Sequence, residues 1–260
     1  MEKVLTIAGS DCSGGAGIQA DIKTITVHKL YAMSVITALT AQNTTGVYGV
    51  QDVTPDFVAQ QLDCIFRDIK PNAIKIGMVS NPDIIAVISE KLQEYQGVNI
   101  VLDPVMVATS GGKLLKDHAV EVLAEKLIPL AEVITPNIPE AEALCGFQID
   151  SLDDMRKAAE KLSSIAGKGI LIKGGHLFSS ADDLLLYESK EYWFREEKIN
   201  NPNTHGTGCT LSSAIACNLA KGHSVPDSVL LAKKYITGAL RDHFDVGKGR
   251  GPLNHCYAIR

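Results

Sequence analysis

A layered α/β fold, with a mostly parallel central sheet covered by helices, is what this sequence predicts, and three observations predict it. Short apolar runs alternate with longer amphipathic stretches along nearly the whole chain. Several of those runs, such as Val4-Leu5-Thr6-Ile7-Ala8 and Ile170-Leu171-Ile172, are largely apolar at consecutive positions, as strands buried on both faces are. Glycine or polar residues follow nearly every run, and in an open α/β sheet the loops beyond the strands' carboxyl ends form the ligand crevice.

The first unit is a strand at 4–8, the loop Gly9-Ser10-Asp11-Cys12-Ser13-Gly14-Gly15-Ala16-Gly17 and a helix at 18–25. The loop lacks both the Walker A ending and the dinucleotide fingerprint. Its glycines either let the backbone approach a flat small molecule or make a structural turn. A second β-rich run at 33–40 ends at Gln42-Asn43-Thr44-Thr45-Gly46, polar groups suited to a ligand's heteroatoms or to a hydrogen-bonded turn. Residues 47–53 have a weak strand pattern. Thr54 and Pro55, with Asp56 behind them, then start a helix that packs through Phe57, Val58, Leu62, Ile65, Phe66 and Ile69.

A strand at 73–76 leads into Gly77-Met78-Val79, and Asn81-Pro82 opens a helix through about residue 95. The strand at 98–102 leaves Asp103-Pro104-Val105-Met106 at its exit. Gly111-Gly112 reads as a ligand-side turn and 117–127 as helix. The run at 133–135 is followed by Pro136-Asn137-Ile138-Pro139-Glu140, so Asn137 and Glu140 are expected to converge near one site. Ser151 caps a helix at 152–164, with Asp153 and Asp154 in its positive first turn. The strand at 170–172 ends at Lys173-Gly174-Gly175-His176, where the lysine is a candidate anion binder. Runs at 184–187 and 192–194 form a strand pair near an edge, with Tyr192, Trp193 and Phe194 as packing residues. A helix runs from Ser224-Val225-Pro226 toward residue 243 or 244, and the tail at 247–252 is expected to be solvated and mobile.

The 260 residues are read as one domain, because no Pro/Gly/Ser-rich linker or abrupt composition shift divides them. A formal net charge of -5 offers no general attraction to nucleic acid or an acidic membrane surface. No stretch reaches the roughly 18 uninterrupted apolar residues of a membrane span, and Met1-Glu2-Lys3 leads straight into the first strand without an apolar targeting segment. Cys12, Cys64, Cys145, Cys209, Cys217 and Cys256 are scattered without a CxxC pair, so reduced thiols and a cytoplasmic setting are expected.

Chemistry concentrates at 203–220. There Gly206, Thr207 and Gly208 run into an Ala-rich apolar segment with helical spacing, so a turn opens onto a helix whose first amides lack helical partners. Such an end attracts a phosphate or a developing oxyanion, and the same field is expected to favour the thiolate of Cys209. A glycine turn before a buried helix carrying a small buried cysteine fits the spacing equally well.

The ordered set Ala8-Gly9-Ser10-Asp11, Gly14-Gly15-Ala16-Gly17-Ile18-Gln19-Ala20-Asp21, Ala41-Gln42-Asn43-Thr44, Asp103-Pro104-Val105-Met106, Thr135-Pro136-Asn137, Lys173-Gly174-Gly175-His176 and Asn203-Thr204-His205-Gly206-Thr207-Gly208-Cys209 resembles the bacterial hydroxymethylpyrimidine and phosphomethylpyrimidine kinases of the ribokinase superfamily, over nearly the whole chain. The resemblance implies a ribokinase-like α/β/α fold, ATP and Mg2+ as cofactors, and a homodimer. It also implies hydroxymethylpyrimidine and its monophosphate as substrates, in thiamine biosynthesis.

By the same resemblance, Gly9, Gly15, Ala16 and Gln42 enclose the aminopyrimidine, and Asp21, Met78 and Val105 complete or flank the pocket. An amide such as that of Gln42 presents a donor and an acceptor to neighbouring heteroatoms of one ring edge. Cys209 stands where the wider superfamily carries a catalytic aspartate, and is expected to take the proton of the substrate alcohol. Gly206, Thr207 and Gly208 are expected to direct donors at the transferred group. Asn137 and Glu140 resemble an Asn-Xaa-Xaa-Glu element that organises magnesium and phosphate, with Asp103 as a second oxygen donor. Lys173, Thr204 and Thr207 are expected along the phosphate path. His205 is expected in the substrate loop or behind it, and no histidine set suits a metal. Pyridoxal kinase, alone or combined with the pyrimidine activity, is the nearest alternative. A nucleotide- or pyrimidine-binding regulatory protein is the alternative without chemistry, and phosphate transfer separates it from the kinases.

Overall fold

The computed structural model describes residues 1–106, 118–175 and 181–259. The expected turn at Gly111-Gly112 and His176 lie outside the described residues. Nine strands form one sheet in the order β3-β2-β1-β4-β5-β6-β7-β8-β9 among the described residues. They are β1 (Lys3–Asp11), β2 (Tyr31–Asn43), β3 (Gly46–Asp52), β4 (Ala73–Ile76), β5 (Ile100–Leu102), β6 (Val133–Ile134), β7 (Gly169–Lys173), β8 (Asp183–Tyr187) and β9 (Lys190–Phe194). The six strands from β2 to β7 pair in parallel, and the antiparallel β3 at one edge and β8 and β9 at the other complete the sheet.

The consecutive apolar residues divide between two cores, as burial on both faces requires. Leu5, Ile7, Ile74, Ile76, Ile100, Leu102, Ile170 and Ile172 face one core. Val4, Ala73, Val101, Val133 and Leu171 face the other. The first core is covered by α2 (Pro55–Asp68), α3 (Pro82–Glu94), α4 (Ala119–Lys126), α5 (Ile138–Cys145) and α6 (Leu152–Ser163), and the second by α1 (Gly17–Val27), α7 (Thr207–Ala220) and α8 (Val225–Arg241).

Helix starts follow their local chemistry. Thr54, Asn81, Asn137, Ser151 and Ser224 each accept a backbone N–H of the following turn through the side chain. A proline occupies the first turn in four of these five helices, where its missing N–H is harmless. The last helix stops at Arg241, short of residue 243, and the helix of 152–164 stops one residue early. The turn between β8 and β9 narrows to Glu188 and Ser189, whose φ angles of 49° and 61° are those of a tight hairpin turn.

Two features place the site. β1 lies between β2 and β4, so the chain reverses its direction of travel across the sheet at the ends of β1 and β4, where a crevice opens. The tail expected to be mobile is instead docked. The backbone N–H of Arg250 donates to the Thr44 carbonyl at 3.0 Å, that of Gly249 to Thr44 Oγ1 at 3.1 Å, and that of Gly251 to Asn203 Oδ1 at 2.9 Å. His205 N–H donates back to the Gly251 carbonyl at 3.1 Å. The strap closes over the loop of Gln42, and together with Asn43, Thr45 and His205 it bounds a cavity of about 370 Å³ at that end of the crevice.

Candidate active site

Two glycine loops meet at the crevice. Gly206 caps α7 with φ 82°, a left-handed conformation that favours glycine, and a Cβ there would collide with the Gly15 carbonyl. The close approach locks the start of α7 against the loop after β1. Thr204 helps to form the turn, because its carbonyl accepts both the N–H and the hydroxyl of Thr207, at 3.2 and 2.7 Å. Gly208 is next: a Cβ on it would lie 3.3 Å from Asp103 Oδ2 and 3.5 Å from Lys173 Nζ. The open end of α7 therefore shares one crevice with the exits of β5 and β7.

Asp103 and Lys173 form an ion pair of 2.8 Å with side-chain exposures of 3% and 15%. Thr135 Oγ1 also donates to Asp103 Oδ1, at 3.1 Å. Burial alone would neutralise both groups, but each outweighs it for the other. Asp103 stays below the usual carboxylate range through Lys173 and then Lys75, and Lys173 stays above the usual ammonium range through Asp103 and Glu140. Lys173 thus has an acidic partner before any phosphate arrives.

Asn137 and Glu140 form a capping box. The Glu140 amide donates to Asn137 Oδ1 and the Asn137 amide to Glu140 Oε2, each at 2.9 Å. Burial pushes the Glu140 carboxyl up to about 7, with Asp103 adding to the rise and Lys173 opposing it. Two buried carboxylates that raise each other's energy suit a cation between them. Magnesium commonly takes one or two carboxylates and fills its remaining positions with water and phosphate oxygens. Among the described residues no group of three or more His, Cys, Asp or Glu is gathered for a metal; Asp103 and Glu140 are the carboxylates expected from the sequence to serve one, and both border Lys173.

The raised Glu140 carboxyl has a consequence for stability. The folded state binds a proton more tightly than the unfolded chain, so stability from this group is full below pH 4.5 and is lost as pH rises through about 7. The loss is at most roughly 3 kcal/mol. Glu140→Gln keeps an acceptor for the Asn137 amide, so the variant is expected to be more stable than the parent at pH 8 and equal to it near pH 5. Urea unfolding of the metal-free protein at both values checks this, and a parent whose stability stays flat between them would refute it.

Cys209 stands in the first turn of α7 and is partly exposed to the crevice. The expected stabilisation of its thiolate does not hold in the free protein. Burial pushes the thiol up to about 11, although the charge of Lys75 pulls the other way. The Gly17 amide also favours the thiolate, but the loss of water outweighs it. Asp21 also differs from a pocket-lining residue. It is fully buried, and its oxygens accept from Lys75 Nζ at 2.8 Å, Thr6 Oγ1 at 2.6 Å and Ser213 Oγ at 2.6 Å.

At the other end, Gly9 and Gly15 are buried while Ala16, Gln42, Met78 and Val105 are half-buried around the crevice. The Met78 methyl fills the space that a side chain at Gly9 would need. Sequence reasoning assigned no role to Asp11, yet it organises this end. Its carboxylate accepts the amides of Ser13, Gly15 and Ala16 at 2.8 to 3.1 Å and His205 Nε2 at 2.8 Å. Burial raises its carboxyl, but those donors, His205 first, hold it at about 2. The Gln42 amide reaches the same histidine, its Nε2 lying 3.2 Å from His205 Nε2. Its Oε1 faces the Thr40 hydroxyl at 3.2 Å, and that hydroxyl also lies 3.0 Å from the Ser10 carbonyl, to which it can donate. The Gly9-Ser10-Asp11 landmark was the available signal for this hub.

Comparison with known proteins agrees with this geometry. A family model described as phosphomethylpyrimidine kinase matches residues 11–254. The hydroxymethylpyrimidine/phosphomethylpyrimidine kinase of Bacillus subtilis is 45% identical over 97% of this chain and 94% of its own. A thiamine biosynthesis bifunctional protein of Geobacter sulfurreducens is 48% identical over 98% of this chain, which spans about half, 52%, of that longer protein. A crystal structure of Bacillus subtilis pyridoxal kinase in complex with ADP is 37% identical and superposes with a TM-score of 0.91, over 99% of this chain and 98% of that one. The ribokinase-like layered fold expected from the sequence is thus borne out. In sequence, sheet order and crevice, the chain belongs to the phosphomethylpyrimidine kinase family of the ribokinase superfamily.

Proposed function

We propose that this chain transfers the γ-phosphoryl group of ATP to the alcohol of 4-amino-5-hydroxymethyl-2-methylpyrimidine and then to the resulting monophosphate, yielding the diphosphate used in thiamine biosynthesis. The observation that carries the reading is the open amino end of α7, where Gly206 to Cys209 share one crevice with Lys173 and Asp103. The family match and the nucleotide bound by the Bacillus subtilis structure support it.

Phosphoryl transfer asks mainly for positioning and for charge opposed at the right atoms. The helix amides at Thr207 and Gly208 supply fixed donors, which help where they fit the charge of the transition state better than that of bound ATP. Lys173 stays cationic beside the phosphate path. Magnesium held by Asp103 and Glu140 would neutralise phosphate charge. In the first step the alcohol oxygen bonds to the γ-phosphorus, the bond to the β-phosphate oxygen breaks with its electrons on ADP, and the alcohol proton passes to the Cys209 thiolate. The second acceptor is already an anion and needs no such base.

The Gln42 amide, held by His205 and Thr40, reads the ring. With a carbonyl oxygen and an amide nitrogen on one group it suits a neighbouring donor and acceptor such as an aminopyrimidine presents. The similarity to a pyridoxal kinase supports a second reading in which pyridoxal is also an acceptor. A time-resolved assay with ATP, magnesium and, separately, the hydroxymethylpyrimidine, its monophosphate and pyridoxal decides among them. Sequential mono- and diphosphate formation is expected, with pyridoxal slower. Tight binding of nucleotide and pyrimidine without transfer would mean a regulatory binding protein. A homodimer in the cytoplasm belongs to the same reading.

A further inference from the structure

Beneath the crevice floor lies a buried ion pair that phosphoryl transfer, as described, does not use. Lys75 is the largest fully buried side chain, on β4, and it meets Asp21 of α1 at 2.8 Å with both side chains at 0% exposure. A pair this deep is a poor source of stability, since desolvation offsets most of the attraction. Its neighbours indicate what else it serves. Ser213, one helical turn beyond Cys209 on the same face of α7, donates to Asp21 Oδ1 at 2.6 Å. Thr6 of β1 donates to Asp21 Oδ2 at 2.6 Å. The Lys75 ammonium lies so close under Gly77 that a Cβ there would be 2.5 Å from it, which puts the charge directly below the loop carrying Met78.

We infer that Asp21 and Lys75 are positioning residues for Cys209: Asp21 fixes the rotation of α7 through Ser213, and Lys75, held in place by Asp21, supplies the positive charge that acts on the thiol from below. The inference rests on Cys209 as the proton acceptor for its consequence, but its test does not. Among the described residues, the titratable groups facing α7 include His205 just before the helix, tied to Asp11, and His255, whose Nε2 lies 3.0 Å from Thr210 Oγ1. Asp21 comes from α1, Lys75 from β4, Asp103 from the exit of β5 and Lys173 from the end of β7, with Glu140 behind that last pair. Lys23 of α1 is committed to the Gly14 carbonyl at 2.7 Å and Lys233 of α8 to Asp183. At Cys209 burial acts first, then Lys75 opposes it, and Asp21 and Asp103 add to it with smaller effects. Lys75, joined to the Cys209 face of α7 through Asp21 and Ser213, is thus the cation that opposes burial at the thiol.

The test is the iodoacetamide alkylation rate of Cys209 against pH, resolved by peptide mass spectrometry because Cys12, Cys64 and Cys256 are exposed and react as well. No ATP or acceptor is present, so a failed kinase reading leaves the result intact, and a failed inference leaves the product assay intact. Below the thiol's titration the rate follows the thiolate fraction, and one unit in pKa is about tenfold in rate. Lys75→Met is expected to slow alkylation about tenfold at pH 8, and Asp21→Asn to speed it severalfold. The double variant, in which asparagine still accepts from Thr6 and methionine fills the lysine's volume, is expected between the parent and Lys75→Met. Single variants leave one buried group unpaired and are the ones at risk of misfolding. If only the double variant folds it decides alone: slower alkylation supports the inference, and a rate equal to or above the parent's overturns it. Folded single variants that shift in the same direction, or not at all, overturn it too.

Discussion

Replacing Cys209 with alanine is expected to slow phosphorylation of the hydroxymethyl substrate by roughly 10²–10⁴-fold, the usual range for loss of a positioned general base, while slowing phosphorylation of the monophosphate far less. The two acceptors differ in one respect that matters at this residue: the alcohol must lose a proton and the phosphate need not. Serine does not substitute, because its hydroxyl ionises at much higher pH than a thiol. A pH signature accompanies the mutation. Since burial holds the free thiol at about 11, the active thiolate becomes more abundant with every step in pH. In the parent, log kcat/KM for the alcohol is therefore expected to rise with a slope near one between about pH 7 and 9. Over the same range the monophosphate, whose own second ionisation lies near 6, is expected to stay nearly flat. Rapid-quench measurements on each acceptor, with parent and Cys209→Ala, separate the cases. Equal losses on both acceptors would assign Cys209 to phosphate binding, and no loss on either would remove it from the chemistry.

Most of the fold was legible because its signals are local. Thr54-Pro55, Asn81-Pro82, Ser151 and Ser224-Val225-Pro226 each carry the cap and first turn of a helix within a few residues, and each starts a helix where expected. The central strands were legible because burial on both faces leaves an unbroken apolar run. The docked tail was not legible. It is held by backbone groups of Lys248, Gly249, Arg250 and Gly251 that reach Thr44 and Asn203, some 200 and 50 residues earlier in the chain. Backbone donors have no sequence signature, and a Gly/Lys/Arg stretch has the composition of a free terminus.

The site divides the same way. Its location followed from topology, since every loop after a parallel strand opens on one side of the sheet. Its electrostatics did not follow, because they depend on what burial and distant charges do. Cys209 at a helix amino end argues for a low thiol pKa as far as the helix alone is concerned, and the surrounding protein reverses the sign. Lys75 sits inside Ala73-Ile74-Lys75-Ile76 and reads as an ordinary strand residue, while its partner lies 54 positions away on α1. Asp21 was drawn into the substrate pocket by family likeness, and three buried donors place it under the pocket instead. Glu140 was legible as part of an Asn-Xaa-Xaa-Glu element, but its raised carboxyl needs Asp103 and the depth of the crevice, which only the assembled sheet provides.

Gly206→Ala is expected to lower kcat for both acceptors, by 10²-fold or more, and to destabilise the protein as well. Two independent costs meet at this residue. At φ 82° a side chain is strained by about 1–3 kcal/mol. Its Cβ also runs into the Gly15 carbonyl, which is backbone and has no flexible end to move aside. Relief requires the start of α7 and the loop after β1 to separate. That moves the amides of Thr207 and Gly208 away from the phosphate path and loosens the Gly15 and Ala16 amides that Asp11 holds at the substrate end. A misplacement of about 1 Å at a reacting centre costs on the order of 10²-fold, and since in the proposed function the displaced donors face the transferred group, the identity of the acceptor is expected to make no difference. That separates this variant from Cys209→Ala. Gly208→Ala is the control: its Cβ would meet side-chain atoms, Asp103 Oδ2 at 3.3 Å and Lys173 Nζ at 3.5 Å, and the backbone there is not left-handed. It is expected to fold nearly as well as the parent and to lose less activity. Urea midpoints, calorimetric ATP binding and the two transfer rates measured on both variants test the assignment. A Gly206→Ala protein that folds, binds ATP and phosphorylates both acceptors at the parent's rates would show that the contact between the two glycine loops does not position the transferred group.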